Sequence, residues 1–157
     1  MAIKVGDKAP DFTLNSEALE EISLSSLQGK PVVLLFFPLA FTGVCTTELC
    51  SMRDDISTYN KLDAQILAIS VDSPFSLKEF KAQQNLNFPL LSDFNKKVAA
   101  QYGALYEMFV KGLKGVAKRS AFVIDKEGIV RYAEVLESAA DLPNFDAVKE
   151  TLALLNK

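Results

Sequence analysis

The sequence contains no histidine and no tryptophan, and only two of its 157 residues are cysteines. Without histidine, neither a Ser–His–Asp triad nor a Cys–His pair can be assembled. Two thiols are too few for a zinc site unless carboxylates complete it, so we expect no metal. No apolar run approaches the roughly 20 residues that cross a bilayer, so we expect no membrane partner.

A net charge of −3 argues against nucleic acid as a main partner. The length fits a single domain over residues 1–157, large enough to bury a core without disulfides. The first seven residues lack the apolar region of a signal peptide, which predicts a cytoplasmic protein. In a reducing cytosol, two nearby cysteines are more often catalytic or metal-binding than structural.

Both cysteines lie where a predicted strand gives way to a predicted helix. The apolar run Val32–Phe37 predicts a buried strand. Pro38 has no backbone N–H and suits the end of that strand. Cys45 and Cys50 follow, with four residues between them, near the start of the next helix.

The residues around Cys45 define the expected start of that helix. Gly43 is expected to allow a tight turn, and Thr46 and Thr47 are candidate caps of a helix that runs to Tyr59. Free N–H groups at a helix N-terminus favour negative charge, and a thiolate there is a nucleophile. The alternative is that Cys45 is a small buried hydrophobic residue.

Pro38, Thr42 and Cys45 form the pattern P-x-x-x-T-x-x-C. Together with the opening Gly6–Phe12 and with Arg119 at the head of a later strand, this pattern resembles the peroxiredoxins, which are thiol peroxidases of the thioredoxin superfamily. The resemblance covers nearly the whole chain. It implies a thioredoxin-like α/β fold with a central mixed β-sheet flanked by helices, and the sequence adds an N-terminal β-hairpin.

The same resemblance implies a role for each matching residue. Cys45 would attack a hydroperoxide, either hydrogen peroxide or an organic one, and become a sulfenic acid. Thr42 would exchange hydrogen bonds with the peroxide oxygens, and Arg119 would stabilise the thiolate and the leaving oxygen. Pro38 would shield the sulfur from water. The amides near Val44 and Cys45 would complete the hydrogen-bonding groups that surround the peroxide. No bound cofactor is implied.

Glu48 matches a common position of the family, and we expect it to contact Arg119 or the threonine network. Alternatively, Glu48 is an ordinary first-turn carboxylate that the helix dipole favours. Arg119 has an alternative too, as a surface charge in the basic stretch 111–119. The functional interpretation therefore depends on the joint pattern.

Cys50 matches the C-x-x-x-x-C spacing of the peroxiredoxin Q group, in which the second cysteine resolves the first. The resulting disulfide would be reduced by thioredoxin or a similar dithiol protein. Residues 38–43 instead resemble the alkyl hydroperoxide reductase E group, in which a second cysteine is usually absent and a homodimer is more strongly implied. We expect Cys50 to resolve Cys45; the alternatives are a one-cysteine peroxidase with Cys50 structural, a thioredoxin-like oxidoreductase, and a redox sensor or holdase.

Helix geometry constrains a disulfide between these two cysteines. Five residues of ideal helix rotate by about 500° and rise ~7.5 Å, which separates the two Cα atoms by roughly 8.6 Å. A disulfide requires about 4.4–6.8 Å. We therefore predict that the Cys45–Cys50 bond forms only after the first turns of the helix unwind.

The rest of the chain predicts alternating strands and helices. Three aromatic residues, Phe41, Phe75 and Phe109, are candidates for an apolar patch around the active site, with core packing as the alternative. The expected elements are a hairpin turning at 15–17, a strand over 64–71, a helix over 75–84 capped by Ser73, an extended segment over 88–93, a helix over 96–102 ended by Gly103, strands over 120–125 and 129–135, and a helix over 145–155.

Overall fold

The computed structural model describes residues 3–156 and alternates strands with helices. Within these residues, the strands are β1 (Thr13–Ser16), β2 (Glu21–Ser23), β3 (Val32–Phe36), β4 (Gln65–Ser70), β5 (Leu90–Ser92), β6 (Ser120–Ile124) and β7 (Val130–Val135). The helices are α1 (Gly43–Asp54), α2 (Ile56–Lys61), α3 (Pro74–Gln84), α4 (Lys97–Gln101) and α5 (Phe145–Leu155), with 3-10 turns at Leu24–Leu27 and Val110–Gly112.

The strands form one mixed sheet in the order β2-β1-β5-β4-β3-β6-β7. Strand β3 is parallel to β4 and antiparallel to β6, and β4 is parallel to β5. The outer pairs β1–β2 and β6–β7 are antiparallel hairpins. The predicted mixed sheet with an N-terminal hairpin is confirmed.

Strand β3 is the centre of the core, and all five of its residues are buried. Val33 and Leu35 pack on one face with side chains of α1, α3 and α5, whereas Leu34 and Phe36 pack on the other face with α4. Burying such a side chain stabilises the fold by about 1.5–3 kcal/mol. A continuous apolar run is what a strand covered on both faces requires.

The long cysteine helix that the sequence predicts up to Tyr59 is interrupted at Asp55. Helix α1 ends at Asp54 and α2 begins at Ile56, because Asp55 leaves helical geometry with a ψ of 12°. The Asp55 carboxylate accepts hydrogen bonds from Thr58 Oγ1 at 2.7 Å and from Lys149 Nζ at 2.9 Å. These side-chain bonds hold Asp55 at the break, and the apolar spacing does not reveal them.

The N-terminal hairpin reverses later than the predicted turn at 15–17. Asn15 already pairs with Glu21, so the turn lies between Ser16 and that residue. The Ser16 hydroxyl accepts hydrogen bonds from the amides of Ala18 and Glu20. A serine that satisfies two turn amides fixes the reversal there.

Most other predicted boundaries are confirmed. Ser73 caps α3 by accepting from the Ser76 amide at 3.2 Å, α4 ends just before Gly103, and α5 spans Phe145–Leu155. Gly128 turns the β6–β7 hairpin with a φ of 87°. Among the described residues, no helix combines the length and apolar character needed to cross a bilayer.

Candidate active site

The site lies at the carboxyl end of β3, in the loop that leads into α1. The left-handed residue of this loop is Phe41, with a φ of 68°, and not Gly43, which is the first residue of α1. Two contacts hold the strained loop. The Ala40 amide donates to Asp72 Oδ2 at 2.8 Å, and the Phe41 ring lies 5.1 Å from that of Phe80. Such surrounding contacts let a bulky residue persist in this conformation.

The N-cap of α1 is Thr42, so the prediction that Thr46 or Thr47 caps the helix is wrong. Because α1 begins earlier than predicted, these two hydroxyls lie inside its first turns and donate to the carbonyls of Thr42 and Gly43. The Thr42 hydroxyl itself donates to Leu39 O at 2.8 Å. Within residues 3–156, no side chain caps the start of α1, which leaves its first amides available to a ligand.

Cys45 is fully buried in the first turn of α1, and Arg119 lies against it. Arg119 Nη2 donates to Cys45 Sγ at 3.3 Å, and Nη1 donates to Glu48 Oε1 at 2.6 Å. Arg119 directly precedes β6 rather than opening it, and it is 1% exposed, which excludes the surface-charge alternative. Lys111 and Lys114 of the same basic stretch are exposed.

The Arg119 guanidinium is also anchored on the side away from α1. Its Nε and Nη2 donate to the Ala139 carbonyl at 3.2 and 3.0 Å. The segment that carries Ala139 is held in turn by Glu137, whose carboxylate pairs with Lys118 at 2.9 Å and whose carbonyl accepts from Tyr106 Oη at 2.8 Å. Bonds on several sides fix the guanidinium in one orientation.

Glu48 is the buried counter-charge of Arg119. Burial raises the pKa of Glu48 to about 7, against the opposing attraction and hydrogen bond of the Arg119 guanidinium. Only Oε1 is bonded; Oε2 is buried without a hydrogen-bond partner among the described residues. The carboxyl group therefore takes up a proton far more readily than an exposed glutamate.

A cavity of about 250 Å³ is lined in part by Cys45. Its walls combine the residues that the sequence singles out with a second set from later in the chain. They are Pro38, Thr42, Gly43, Val44, Cys45, Phe109, Arg119, Ala139 and Ala140. The fold therefore gathers a thiol, a guanidinium, helix-start amides and a hydroxyl around one small apolar-walled opening.

Comparison with known proteins identifies the family. The model of the AhpC/TSA family matches residues 5–133. The chain is 42% identical to alkyl hydroperoxide reductase E of Mycobacterium bovis over 136 residues, 85% of this chain and 86% of that protein. It is 43% identical to the putative peroxiredoxin bcp of Coxiella burnetii over 132 residues, 83% of this chain and 87% of that one. The chain belongs to the AhpC/TSA family, the peroxiredoxins.

A solved structure extends this result to the fold. The peroxidoxin BcpB of Mycobacterium tuberculosis superposes with a TM-score of 0.82 at 33% identity, over 98% of this chain and 97% of that one. The fold of this peroxiredoxin is therefore thioredoxin-like, and its activity is that of a thiol peroxidase. Similarity to both alkyl hydroperoxide reductase E and bcp agrees with the mixed features in its sequence.

Cys50, the second thiol of this peroxiredoxin, lies away from the cavity. It is half-buried in the middle of α1, and its Sγ donates to Gln84 Oε1 on α3 at 3.4 Å. Both cysteines are free, and both lie within the one continuous helix α1. An intact helix thus holds the two thiols in the geometry that forbids a disulfide.

Some residues of the peroxiredoxin site have no signal in the sequence. Asp72 accepts from the Ala40 amide of the active-site loop, and Ala139 offers its backbone carbonyl to Arg119. Neither residue belongs to a sequence motif. Of the three candidate patch residues, Phe41 and Phe75 are 51% and 72% exposed, which rules out core packing for both. Phe109 is half-buried and lines the cavity.

The titration of Glu48 predicts a pH-dependent stability. Its pKa is about 7 in the folded protein and 4.5 in an unperturbed glutamate. Between these values the folded state keeps a proton that the unfolded chain releases, so stability falls as the pH rises through 7. We compare two proteins that both carry Cys45→Ser, one with Glu48 and one with Glu48→Gln. Between about pH 5 and pH 8, we expect the free energy of unfolding of the protein with Glu48 to fall by about 1–3 kcal/mol relative to that of Glu48→Gln.

Urea unfolding of the two proteins across this pH range measures that difference. The Cys45→Ser background removes the titration of the thiol, and the amide introduced by Glu48→Gln retains an oxygen that accepts from Arg119. A stability difference that does not change with pH would contradict the assignment.

Proposed function

We propose that Cys45 is the peroxidatic residue, acting on hydrogen peroxide and organic hydroperoxides. The thiolate sulfur bonds to one peroxide oxygen, the O–O bond breaks, and the other oxygen leaves and is protonated to water or an alcohol. The sulfur loses two electrons and becomes a sulfenic acid. The observation that carries this proposal is the contact of Arg119 Nη2 with Cys45 Sγ, 3.3 Å, beside the cavity.

Arg119 suits the stabilisation of both the thiolate and the leaving oxygen. A guanidinium does not lose its charge, and its rigid fork offers several donors. Its bonds to Glu48 and to the Ala139 carbonyl hold it in place before the reaction, so little reorganisation is needed as charge develops. Glu48 is thus proposed as a positioning residue.

Thr42 and the helix-start amides complete the proposed cradle for the peroxide. The Thr42 hydroxyl donates to Leu39 O, which leaves its oxygen able to accept from a peroxide hydrogen. Val44 and Cys45 line the cavity, and their amides belong to the first turn of α1, at the positive end of its dipole. Pro38 is buried at the cavity wall and brings no N–H to compete for the sulfur.

Cys50 is the proposed resolving residue. The Cys50 thiol loses its proton, its sulfur attacks the sulfur of the Cys45 sulfenic acid, and the hydroxyl group leaves as water. A thioredoxin-like dithiol protein of the cytoplasm is the proposed reductant of that disulfide. The chemistry requires only sulfur, so the proposal includes no cofactor.

A one-cysteine enzyme is the second candidate. The bond between Cys50 Sγ and Gln84 Oε1 favours it, because a structural thiol in an intact helix would be held in this way. An external thiol would then reduce the sulfenic acid directly. A sensor or holdase function stays a prediction that turnover distinguishes, since a sensor is oxidised once.

Stopped-flow oxidation followed by intact-mass measurement tests both cysteine roles. Reduced wild type should react rapidly with hydrogen peroxide and lose about two mass units per chain, as a disulfide requires. Cys50→Ser should react as fast but stop at a sulfenic or sulfinic species, and Cys45→Ser should not react. Identical products from wild type and Cys50→Ser would assign the one-cysteine mechanism, and slow oxidation of both would refute Cys45 as the peroxidatic residue.

Disulfide formation should also reduce the helix content of the protein. Because α1 keeps the Cα atoms roughly 8.6 Å apart in ideal geometry, its first turns must unwind before the two sulfurs meet. Far-UV circular dichroism should therefore show less helix in the oxidised protein than in the reduced one. An unchanged spectrum in a sample shown by mass to contain the Cys45–Cys50 bond would contradict the prediction that α1 unwinds.

A homodimer through exposed aromatic side chains is a further part of the proposal. Phe75 and Phe94 are 72% and 62% exposed and line one groove beside β1. Exposed aromatic residues of this size are typical of association surfaces. Phe41 is exposed on the neighbouring active-site loop, which would bring such an interface close to the cavity.

Sedimentation at micromolar concentration tests the dimer. Wild type should sediment as a dimer and Phe75→Glu as a monomer, because a carboxylate cannot be buried unpaired at an interface. Gln83→Glu, at an exposed position near the other end of the same helix, adds the same single negative charge and is the matched control. A strictly monomeric wild type would rule out this part of the proposal.

A further inference from the structure

We propose that the end of α3 is a latch that holds Cys50 in the folded helix, and that this latch sets how often the Cys45 sulfenic acid is overoxidised before it is resolved. This inference rests on the proposed resolving role of Cys50. The latch consists of Gln84 and Asn87 on one side and of Cys50 and Arg53 on the other.

Three hydrogen bonds join the two sides. Cys50 Sγ donates to the Gln84 side-chain oxygen at 3.4 Å, and Arg53 Nη1 donates to the Gln84 backbone carbonyl at 2.5 Å. Asn87 Nδ2 donates back to the Arg53 carbonyl at 3.3 Å. Cys50 and Arg53 are three residues apart, so they lie on the same face of α1 and meet the same part of α3.

The Arg53 bond is the strongest of the three on physical grounds. Gln84 is the last residue of α3, and Asn85 ends the helix in the left-handed conformation with a φ of 52°. The final carbonyls of a helix lack intrahelical partners and carry the negative end of its dipole. A guanidinium that donates to such a carbonyl makes a charge-assisted bond.

The latch opposes the movement that resolution requires. Cys50 must leave Gln84 before it reaches Cys45, and Arg53 keeps the next turn of α1 fixed on α3 while it does so. Two reactions compete for the sulfenic acid during this delay. Cys50 forms the disulfide and releases water, or a second hydroperoxide transfers an oxygen to give the sulfinic acid and an alcohol or water.

The latch is separate from the groups that carry out the first step. Neither Gln84 nor Arg53 lines the active-site cavity, and both are half-buried where α1 and α3 meet. They are positioning residues, which act through Cys50 and not on the peroxide. Their loss should change the resolution step alone.

Rapid-mixing kinetics with hydrogen peroxide separates the two steps. We expect Gln84→Ala and Arg53→Met to keep the wild-type rate constant for oxidation of Cys45. Their rate constant for disulfide formation should rise roughly threefold to tenfold, the effect of losing one hydrogen bond of this kind. At high peroxide, the sulfinic fraction measured by mass should fall by a similar factor.

Two further variants make the test specific. Gln83→Ala removes an exposed glutamine one residue away, which bonds to Glu79 instead, and it should resolve at the wild-type rate. Arg53→Lys retains a cationic donor for the Gln84 carbonyl and should restore slow resolution. Faster resolution in Arg53→Met but not in Arg53→Lys is a pattern that general loosening of the fold would not give.

The outcomes also separate this inference from the proposed function. If Cys50→Ser forms the same products as wild type, Cys50 does not resolve and the latch has no role. If Cys50→Ser blocks the disulfide while Gln84→Ala and Arg53→Met resolve at the wild-type rate or more slowly, the resolving role stands and the latch is wrong. An equal acceleration in Gln83→Ala would also overturn the latch.

Discussion

The active site depends on one buried charge, the guanidinium of Arg119. A charge that is 1% exposed persists only if its surroundings supply partners, and here they come from two separate parts of the chain. Cys45 and Glu48 come from one helix, and the Ala139 carbonyl comes from the segment after β7. The sheet register makes this meeting possible. Ser120 of β6 pairs with Phe36 of β3, so the residue before β6 lies beside the end of β3, where the active-site loop begins.

The partners of Arg119 share a single positive charge. If Cys45 is a thiolate while Glu48 is ionised, two negative groups face one guanidinium in a site of low dielectric. The raised pKa of Glu48, about 7, relieves this conflict, because a protonated Glu48 leaves the charge of Arg119 to the sulfur. The unpartnered Oε2 is the oxygen that is free to carry the proton. The chain has no histidine, so Arg119 is the cation that faces the sulfur among the described residues.

In the proposed mechanism, helix α1 serves two steps with opposite requirements. The attack on peroxide needs its first turn folded, since the amides, Thr42 and Cys45 take their positions from it. The proposed capture by Cys50 would need the same turns to open, because the helix holds the two thiols too far apart for a bond. On this proposal, the contacts of α1 with its neighbours would control the balance between the two steps. Two of these contacts come from α3, namely the Phe41–Phe80 ring contact and the bonds of Gln84 to Cys50 and Arg53.

The sequence alone determined the strands, most helix ends and the family, because each of these depends on residues that are close together in the chain. The apolar run of β3, the Ser73 cap and the P-x-x-x-T-x-x-C pattern are each contained in a short stretch. The tertiary structure alone decided what depends on contacts between distant residues. These are the break at Asp55, which Lys149 of α5 helps to hold, the left-handed Phe41 fixed from α3 and Asp72, and the Ala139 carbonyl behind Arg119. Backbone groups and long-range partners leave no mark in residue order, because any residue can supply a carbonyl and only folding brings it to the guanidinium.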